Sequence, residues 1–325
     1  MKIWQTLLEL IQRVFRWIKQ GGRKLDLLLS SISQGLLWSI LAIGIYVTFR
    51  ILNVSDLTVE GSFPLGAAIS ASLIIKGVSP WLSIIIAIIG GMGAGFISGY
   101  LTTKWKIPPL LSGIITMTGL YSVNLRVMGQ ANITLLGQQT VFRAIEGFGL
   151  SKTMAVLLVG ALTVSAVILF LHLFFNTEIG LAIRATGDNN EMSQANGIRT
   201  NLTRLMGYML SNGLNAMAGA LLAQNNGYSD ISMGIGTIVI GLASIIIGEV
   251  LVRNLTIAKR LLTIVVGSVI YRLLILLVLE LRVDPQDLKL FSAILLTLAL
   301  RLPIIQEKFA SRFGRKGLPK AKEME

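Results

Sequence analysis

The stretch MAVLLVGALTVSAVILFLHLFF (154–175) is followed directly by NTEIGLAIRATGDNNEMSQANGIRTN (176–201). The first part carries no Asp, Glu, Lys or Arg, and its length matches the roughly 20 residues an α-helix needs to cross the hydrocarbon core. In lipid, backbone N–H and C=O groups must be satisfied internally, so such a run reads as a transmembrane helix. The second part abruptly turns polar. Asp188, Asn189, Asn190 and Glu191 have the form of a capping box, with Asp188 expected to accept the orphan N–H groups of a first turn and Glu191 to reach back. Gly197 suits the residue after a helix end, which predicts a helix over about 189–196. Two turns with little apolar surface are too short to be stable alone in water and need something to dock against.

Working outward, apolar runs recur at about 31–50, 60–76, 80–102, 107–125, 205–224, 231–251, 261–280 and 289–303. With 154–175 they make nine crossings, within a range of eight to ten, and an all-α polytopic transmembrane bundle. The composition agrees: 53% hydrophobic residues, 14% charged residues and a mean hydropathy of +0.73. The net charge of +13 has no soluble basic surface on which to be displayed, so nucleic acid is not an expected partner; membrane lipid is. Residues 1–24 interleave Trp4, Leu7, Leu8, Ile11, Phe15 and Ile18 with Arg13, Arg16 and Lys19, the pattern of an amphipathic helix lying in the interface.

Basic residues in short loops are retained on the cytoplasmic side. If 176–204 is cytoplasmic, that side receives Arg50, Lys104, Lys106, Arg253, Lys259, Arg260, Arg301 and the tail from Lys308 to Lys322. The far side receives only Lys76, Arg126, Arg143, Lys152, Arg282 and Lys289. The C-terminus is then cytoplasmic, and the side of the N-terminal helix stays open.

An offset of 174 residues places Ser55-Asp56-Leu57-Thr58 on Ser229-Asp230-Ile231-Ser232. Each polar element interrupts the apolar pattern before a Gly/Ala-rich helix resumes, and five crossings separate them, as in inverted repeats with broken helices. Two unrelated Asp caps would give the same match. Asp56, Glu60, Asp230 and Ser232, with Thr118 and Asn124 from the polar stripe of the fourth run, are candidate translocation-pathway residues. Gly91, Gly95 and Gly99 form one ridge without side chains and are expected to pack a neighbouring helix. The chain has no cysteine, and neither a catalytic constellation nor a cluster of metal ligands stands out.

IGLAIRATGDNNEMSQANGI (179–198) resembles the cytoplasmic signature of the branched-chain amino-acid and ribose type ABC permeases. QGLLWSILAIGIYVTFRILNVSDLTVEGSFPLGAAIS (34–70) and DISMGIGTIVIGLASIIIGE (230–249) resemble that family's two broken-helix regions. The form D-L-T-V-E-G-S-F (56–63) is most similar to a subgroup assigned to amino-acid uptake, with tryptophan or tyrosine as proposed substrates. The resemblance implies a coupling helix in which Arg184, Gly187, Asp188, Asn189, Glu191 and Gly197 seat against a separate ATPase subunit. It also implies a second permease copy in a homodimer, an extracytoplasmic substrate-binding protein, and a multi-pass location in the bacterial inner membrane. No cofactor is expected on this chain; ATP and Mg would belong to the partner, because no G-x-x-x-x-G-K-[ST] occurs and GFGLSKT (147–153) lacks the glycine before Lys152.

The resulting division is 1–30 interfacial helix, 31–175 first transmembrane repeat, 176–204 coupling region, 205–303 second repeat and 304–325 basic tail. Sugar-type relatives carry an extra crossing where this chain has its amphipathic start. The rival reading is an ion-gradient-driven secondary transporter with inverted repeats, Asp56 and Asp230 binding the coupling cation.

Overall fold

The computed structural model describes residues 23–252, 256–280 and 287–301 except 289 and 299. The expected interfacial helix therefore lies outside the described residues up to 22, and residues 23–30 belong to the first long helix instead. The tail 304–325 also lies outside them.

Helix α1 (Arg23–Tyr46) runs into a π-helical turn (Val47–Ile51), and the chain then reverses through Asn53, which has φ +53°. There follow α2 (Val59–Ile75), α3 (Pro80–Thr103), α4 (Pro109–Met128), strand β1 (Asn132–Thr134), α5 (Val141–Glu146) and α6 (Lys152–Phe175). After them come α7 (Glu178–Asp188), α8 (Asn190–Ala195), α9 (Thr200–Asn226), β2 (Tyr228–Asp230), α10 (Thr237–Leu251) and α11 (Ile257–Glu280). The ninth apolar run is helical at 290–298 and at 300–301.

Helix starts follow from local chemistry. Ser79 Oγ accepts the Leu82 N–H at 3.4 Å with Pro80 at the first helical position, and Ser151 Oγ accepts the Met154 N–H at 3.3 Å. The end of α9 is set by Gly227, whose φ of +78° only glycine adopts without strain.

Four described helices are long and apolar enough to cross a membrane: Leu25–Ile51, Pro80–Thr103, Lys152–Phe175 and Ile257–Glu280. The apolar helices α2 and α10 are shorter, 17 and 15 residues, or roughly 26 and 23 Å at 1.5 Å per residue against a core of about 30 Å. Their brevity reflects the polar elements before them. α9 is long, 27 residues, but polar on one face.

The bundle is built around α2 and α9, which are buried on most sides. A Cβ added to Gly66 would lie 1.9 Å from the Ala216 carbonyl oxygen, and one added to Gly219 would lie 1.9 Å from that of Phe63. The two backbones thus meet directly. Around this pair stand α1, α3, α4 and α6, whose outward faces expose Ile89, Ile115, Leu162, Leu169 and Leu173, the band expected where side chains meet acyl chains. Helix α9, roughly 40 Å long, starts beside α8 and ends at the β1–β2 pair, where Asn132 faces Asp230, Ile133 faces Ser229 and Thr134 faces Tyr228. The molecule thus has an α8 end and a strand end.

Candidate functional site

At one end, the segment after α6 forms two helices in succession. Thr177 Oγ1 caps α7 by accepting the Gly180 N–H at 3.2 Å. Asp188 is the last residue of α7, which corrects its expected role as the cap of the next helix. That role falls to Asn189, whose Oδ1 accepts the Met192 N–H at 2.9 Å. The physical reason is register: α7 holds Asp188 helical, so the first extended residue able to cap α8 is Asn189, at φ −152° and ψ 105°. At the far end Gly197 takes φ +81° while the Ile198 N–H reaches the Ser193 carbonyl at 3.0 Å, closing α8 as a Schellman-type end. Helix α8 is thus capped at both termini.

The neighbours of this segment separate its residues into two groups. Gly187 faces inward: an added Cβ would fall 1.7 Å from the Ile51 carbonyl oxygen, so α7 rests backbone to backbone on the π turn of α1. Arg184 is half-buried on the same helix. Thr186 Oγ1 and Thr203 Oγ1 are 2.8 Å apart, and Gln194 Nε2 donates to Thr200 Oγ1 at 2.9 Å, which ties α7 and α8 to the start of α9. The outward group comprises Asp188, Asn189, Glu191, Met192 and Gly197, all exposed, with Met192 at 58%.

The π turn continues the chain of contacts. Arg50, in that turn, pairs with Glu249 at the end of α10, and Glu249 also lies 3.6 Å from Arg260 at the start of α11. The three helix ends therefore share one charged cluster beside α7.

The candidate pathway residues divide into two sites. Asp56 is buried; its Oδ1 accepts the Thr58 N–H at 2.9 Å and its Oδ2 accepts Asn212 Nδ2 at 2.8 Å. Asn212 Oδ1 in turn accepts the Ser62 hydroxyl at 2.7 Å, and Thr58 Oγ1 donates to Ser98 Oγ at 2.8 Å. The network joins α2, α3 and α9. Asp230 sits at the strand end instead, where Asn132 Nδ2 donates to Oδ2 at 3.1 Å and the Ser232 N–H donates to Oδ1 at 2.7 Å. The Ser232 hydroxyl donates to the same oxygen. Partial burial pushes the Asp230 carboxyl up, but these hydrogen bonds outweigh it and hold the group below its usual value.

Glu60 connects the two regions, its Oε1 accepting the Gly236 N–H at 2.9 Å, so the start of α2 touches the start of α10. Asn124 is buried and its Nδ2 donates to the Gly61 carbonyl at 3.2 Å. Thr118 is exposed and bonds its own helix, Oγ1 to the Ile114 carbonyl at 2.8 Å, as threonine in a helix commonly does. Gly91, Gly95 and Gly99 line α9: added Cβ atoms would come within 2.4 Å of Asn212 O, 2.3 Å of Tyr208 O and 2.9 Å of Leu205 Cδ1.

Sequence reasoning missed Asn212 and Asn215. The signal was present, since Ser211, Asn212 and Asn215 share one face of an otherwise small and apolar helix, and all three are buried.

Residues 27–300 match the model of the family described as branched-chain amino acid transport system / permease component. The chain is similar to the tyrosine transport system permease protein of Clostridioides difficile (strain R20291), 40% identical over 269 residues, covering 83% of this chain and 88% of that one. It is also similar to the uncharacterized protein RP368 of Rickettsia prowazekii (strain Madrid E), 33% identical over 280 residues, covering 85% and 97%. Among solved structures, PsaBC from Streptococcus pneumoniae in complex with Fab shares the fold, with a TM-score of 0.53 at 14% identity over 89% of this chain and 95% of that one. A family match across most of the length, with several apolar helices, makes this a multi-pass membrane protein. The chain belongs to the branched-chain amino acid transport system permease family, and it is the permease component of an ABC-type importer.

Proposed function

We propose that this permease imports a small amino acid, with tyrosine the first candidate from the relative at 40% identity. In this reading two copies form the membrane unit, an extracytoplasmic protein delivers the substrate, and α8 of each copy sits in a groove of an ATPase subunit, which binds the ATP and Mg. The observation that carries it is α8 itself: a six-residue helix, capped at both ends, exposed on one side, tied by Gln194 to Thr200 of α9, and preceded by α7, which Gly187 braces against Ile51. So short an element has no stability of its own, and its bracing makes it a rigid handle. The assignment separates roles that the sequence merged. Asp188, Asn189, Glu191 and Gly197 belong to the gripped surface or its caps, whereas Gly187 and Arg184 transmit the push inward to the π turn.

The same reading includes nine crossings in inverted repeats, with the α8 end and the C-terminus in the cytoplasm. Its support is local. At both copies, 174 residues apart, the Asp Oδ1 accepts the N–H two residues on, Thr58 in one and Ser232 in the other, before an apolar helix begins. In this reading Glu60 lies where the two broken helices meet, Asp56 and Asn124 beside the start of α2, Asp230 and Ser232 at the strand end before α10, and Thr118 on the outer face.

The test is purification of the tagged chain from its native membrane, followed by uptake of tyrosine in vesicles. Copurification of an ATPase and uptake that stops on ATP depletion support the reading. Uptake that survives ATP depletion and follows an ion gradient would establish the secondary transporter instead.

A further inference from the structure

Two cavities join at the α8 end. One, of about 650 Å³, is walled by Phe96, Tyr100, Leu202 and Leu205 and carries Lys104 and Arg199. The other, of about 440 Å³, carries Lys106 and Arg204 together with Thr102, Ile107, Pro108 and Pro109. Both share Thr103, Gln194 and Asn201, so they form one groove of two limbs, the first with an apolar wall. Four cations line it, and no Asp or Glu does among the described residues. Nε of Arg204 is buried without a hydrogen-bond partner among the described residues.

The apolar limb opens along the lipid-facing side of α3. Ile89, Phe96, Ile97 and Tyr100 are exposed there. The rings continue toward the end of the helix: Phe96 and Tyr100 stack with centroids 5.9 Å apart, and Trp105 stands edge-on to Tyr100 at 6.3 Å. Such a ladder marks the level where acyl chains give way to headgroups. A groove whose greasy wall continues the acyl-chain surface and which carries four cations, Lys104 and Arg199 in one limb and Lys106 and Arg204 in the other, with no carboxylate among the described lining residues, fits one ligand class.

We infer that this groove binds a single anionic phospholipid of the leaflet on the α8 side. An acyl chain lies along Phe96, Tyr100, Leu202 and Leu205, and the phosphodiester lies among Lys104, Lys106, Arg199 and Arg204. Guanidinium groups at Arg199 and Arg204 can each give a phosphate two donors in a fixed fork. A free phosphate would leave the apolar limb unfilled, and a zwitterionic headgroup would bring its own cation among the four. Because Gln194 of α8 lines both limbs and also bonds Thr200, the bound lipid braces the very segment that the importer reading makes its handle. The lipid site itself does not depend on that reading.

The test uses the full chain in detergent, with Trp105 as reporter and the Trp105→Phe protein subtracting the other tryptophans. Brominated phosphatidylglycerol is compared with brominated phosphatidylcholine as quencher. Phosphatidylglycerol is expected to reach half-quenching at a mole fraction at least about tenfold lower, with the preference shrinking as salt rises. In the Lys104→Gln/Lys106→Gln/Arg199→Gln triple variant, which alters exposed side chains, the preference is expected to fall below about twofold. Equal quenching by the two lipids in the unaltered protein overturns the proposal, as does a preference that persists in a folded triple variant. The unaltered comparison decides the matter even where the variant does not fold.

Discussion

Asp56 and Asp230 occupy equivalent positions in their local turns and yet live in opposite surroundings. Asp56 is enclosed, and every oxygen contact it makes is with a donor of this chain: the Thr58 N–H and Asn212 Nδ2. Replacing it by alanine orphans both donors inside the bundle, at roughly 1–3 kcal/mol each, so Asp56→Ala should lower the thermal midpoint in detergent markedly. Asp56→Asn should also destabilise, because Asn212 already spends Oδ1 on Ser62 and cannot turn an acceptor toward the new amide. Asp230 is only half-buried, and its ionised form is favoured by Ser232 and Asn132. Its folded pKa lies below its unfolded value, so its contribution is fully present above the unfolded value and is lost as pH falls through the folded one. The gap in thermal midpoint between the natural protein and Asp230→Asn is therefore expected to close as pH drops from 6 toward 3.

Among the elements, α7 and α8 carry separable functions. Gly187→Ala pushes a methyl into the Ile51 carbonyl and is expected to cost about 1–3 kcal/mol and to weaken coupling together with stability. Glu191→Lys alters only an exposed side chain; the expected result is an unchanged thermal midpoint with at least tenfold weaker retention of the ATPase on an affinity column. If both variants lose stability alike, α8 is a packed loop and not a handle. Much of this was legible in the residues themselves: the apolar runs mark the helices, and Gly197 ends α8. Helix α7 was not, because Gly180 and Gly187 depress helix propensity in a stretch whose helicity comes from resting on Phe174 and Ile51. The cap was displaced by one residue for the same reason, since Asp and Asn cap equally well and only the packing of α7 chooses between Asp188 and Asn189. The π turn at Val47–Ile51 leaves no trace in VTFRI, whose residues suit an ordinary helix or strand as readily.

For the whole molecule, the polar groups that matter are gathered by α9, which meets α1, α2 and α3 along its length. Composition reported a membrane protein and the short segment at 179–198 reported its family, but neither indicated that a helix bearing Ser211, Asn212 and Asn215 is the central one. Such a residue set lowers mean hydropathy and so weakens the very signal by which a span is found. Gly66→Val or Gly219→Val is expected to abolish accumulation of folded protein in membranes, whereas Gly93→Val, beside which there is open space, should be tolerated. Quantitative immunoblotting of membrane fractions checks all three. The reason reaches beyond stability. Where Gly66 and Gly219 let two main chains touch, no flexible side chain stands between them to give way, so a tilt imposed on one rod is delivered whole to the other. The middle of the protein is in this sense a lever and not a cushion, and whatever yields during a transport cycle must yield at its periphery.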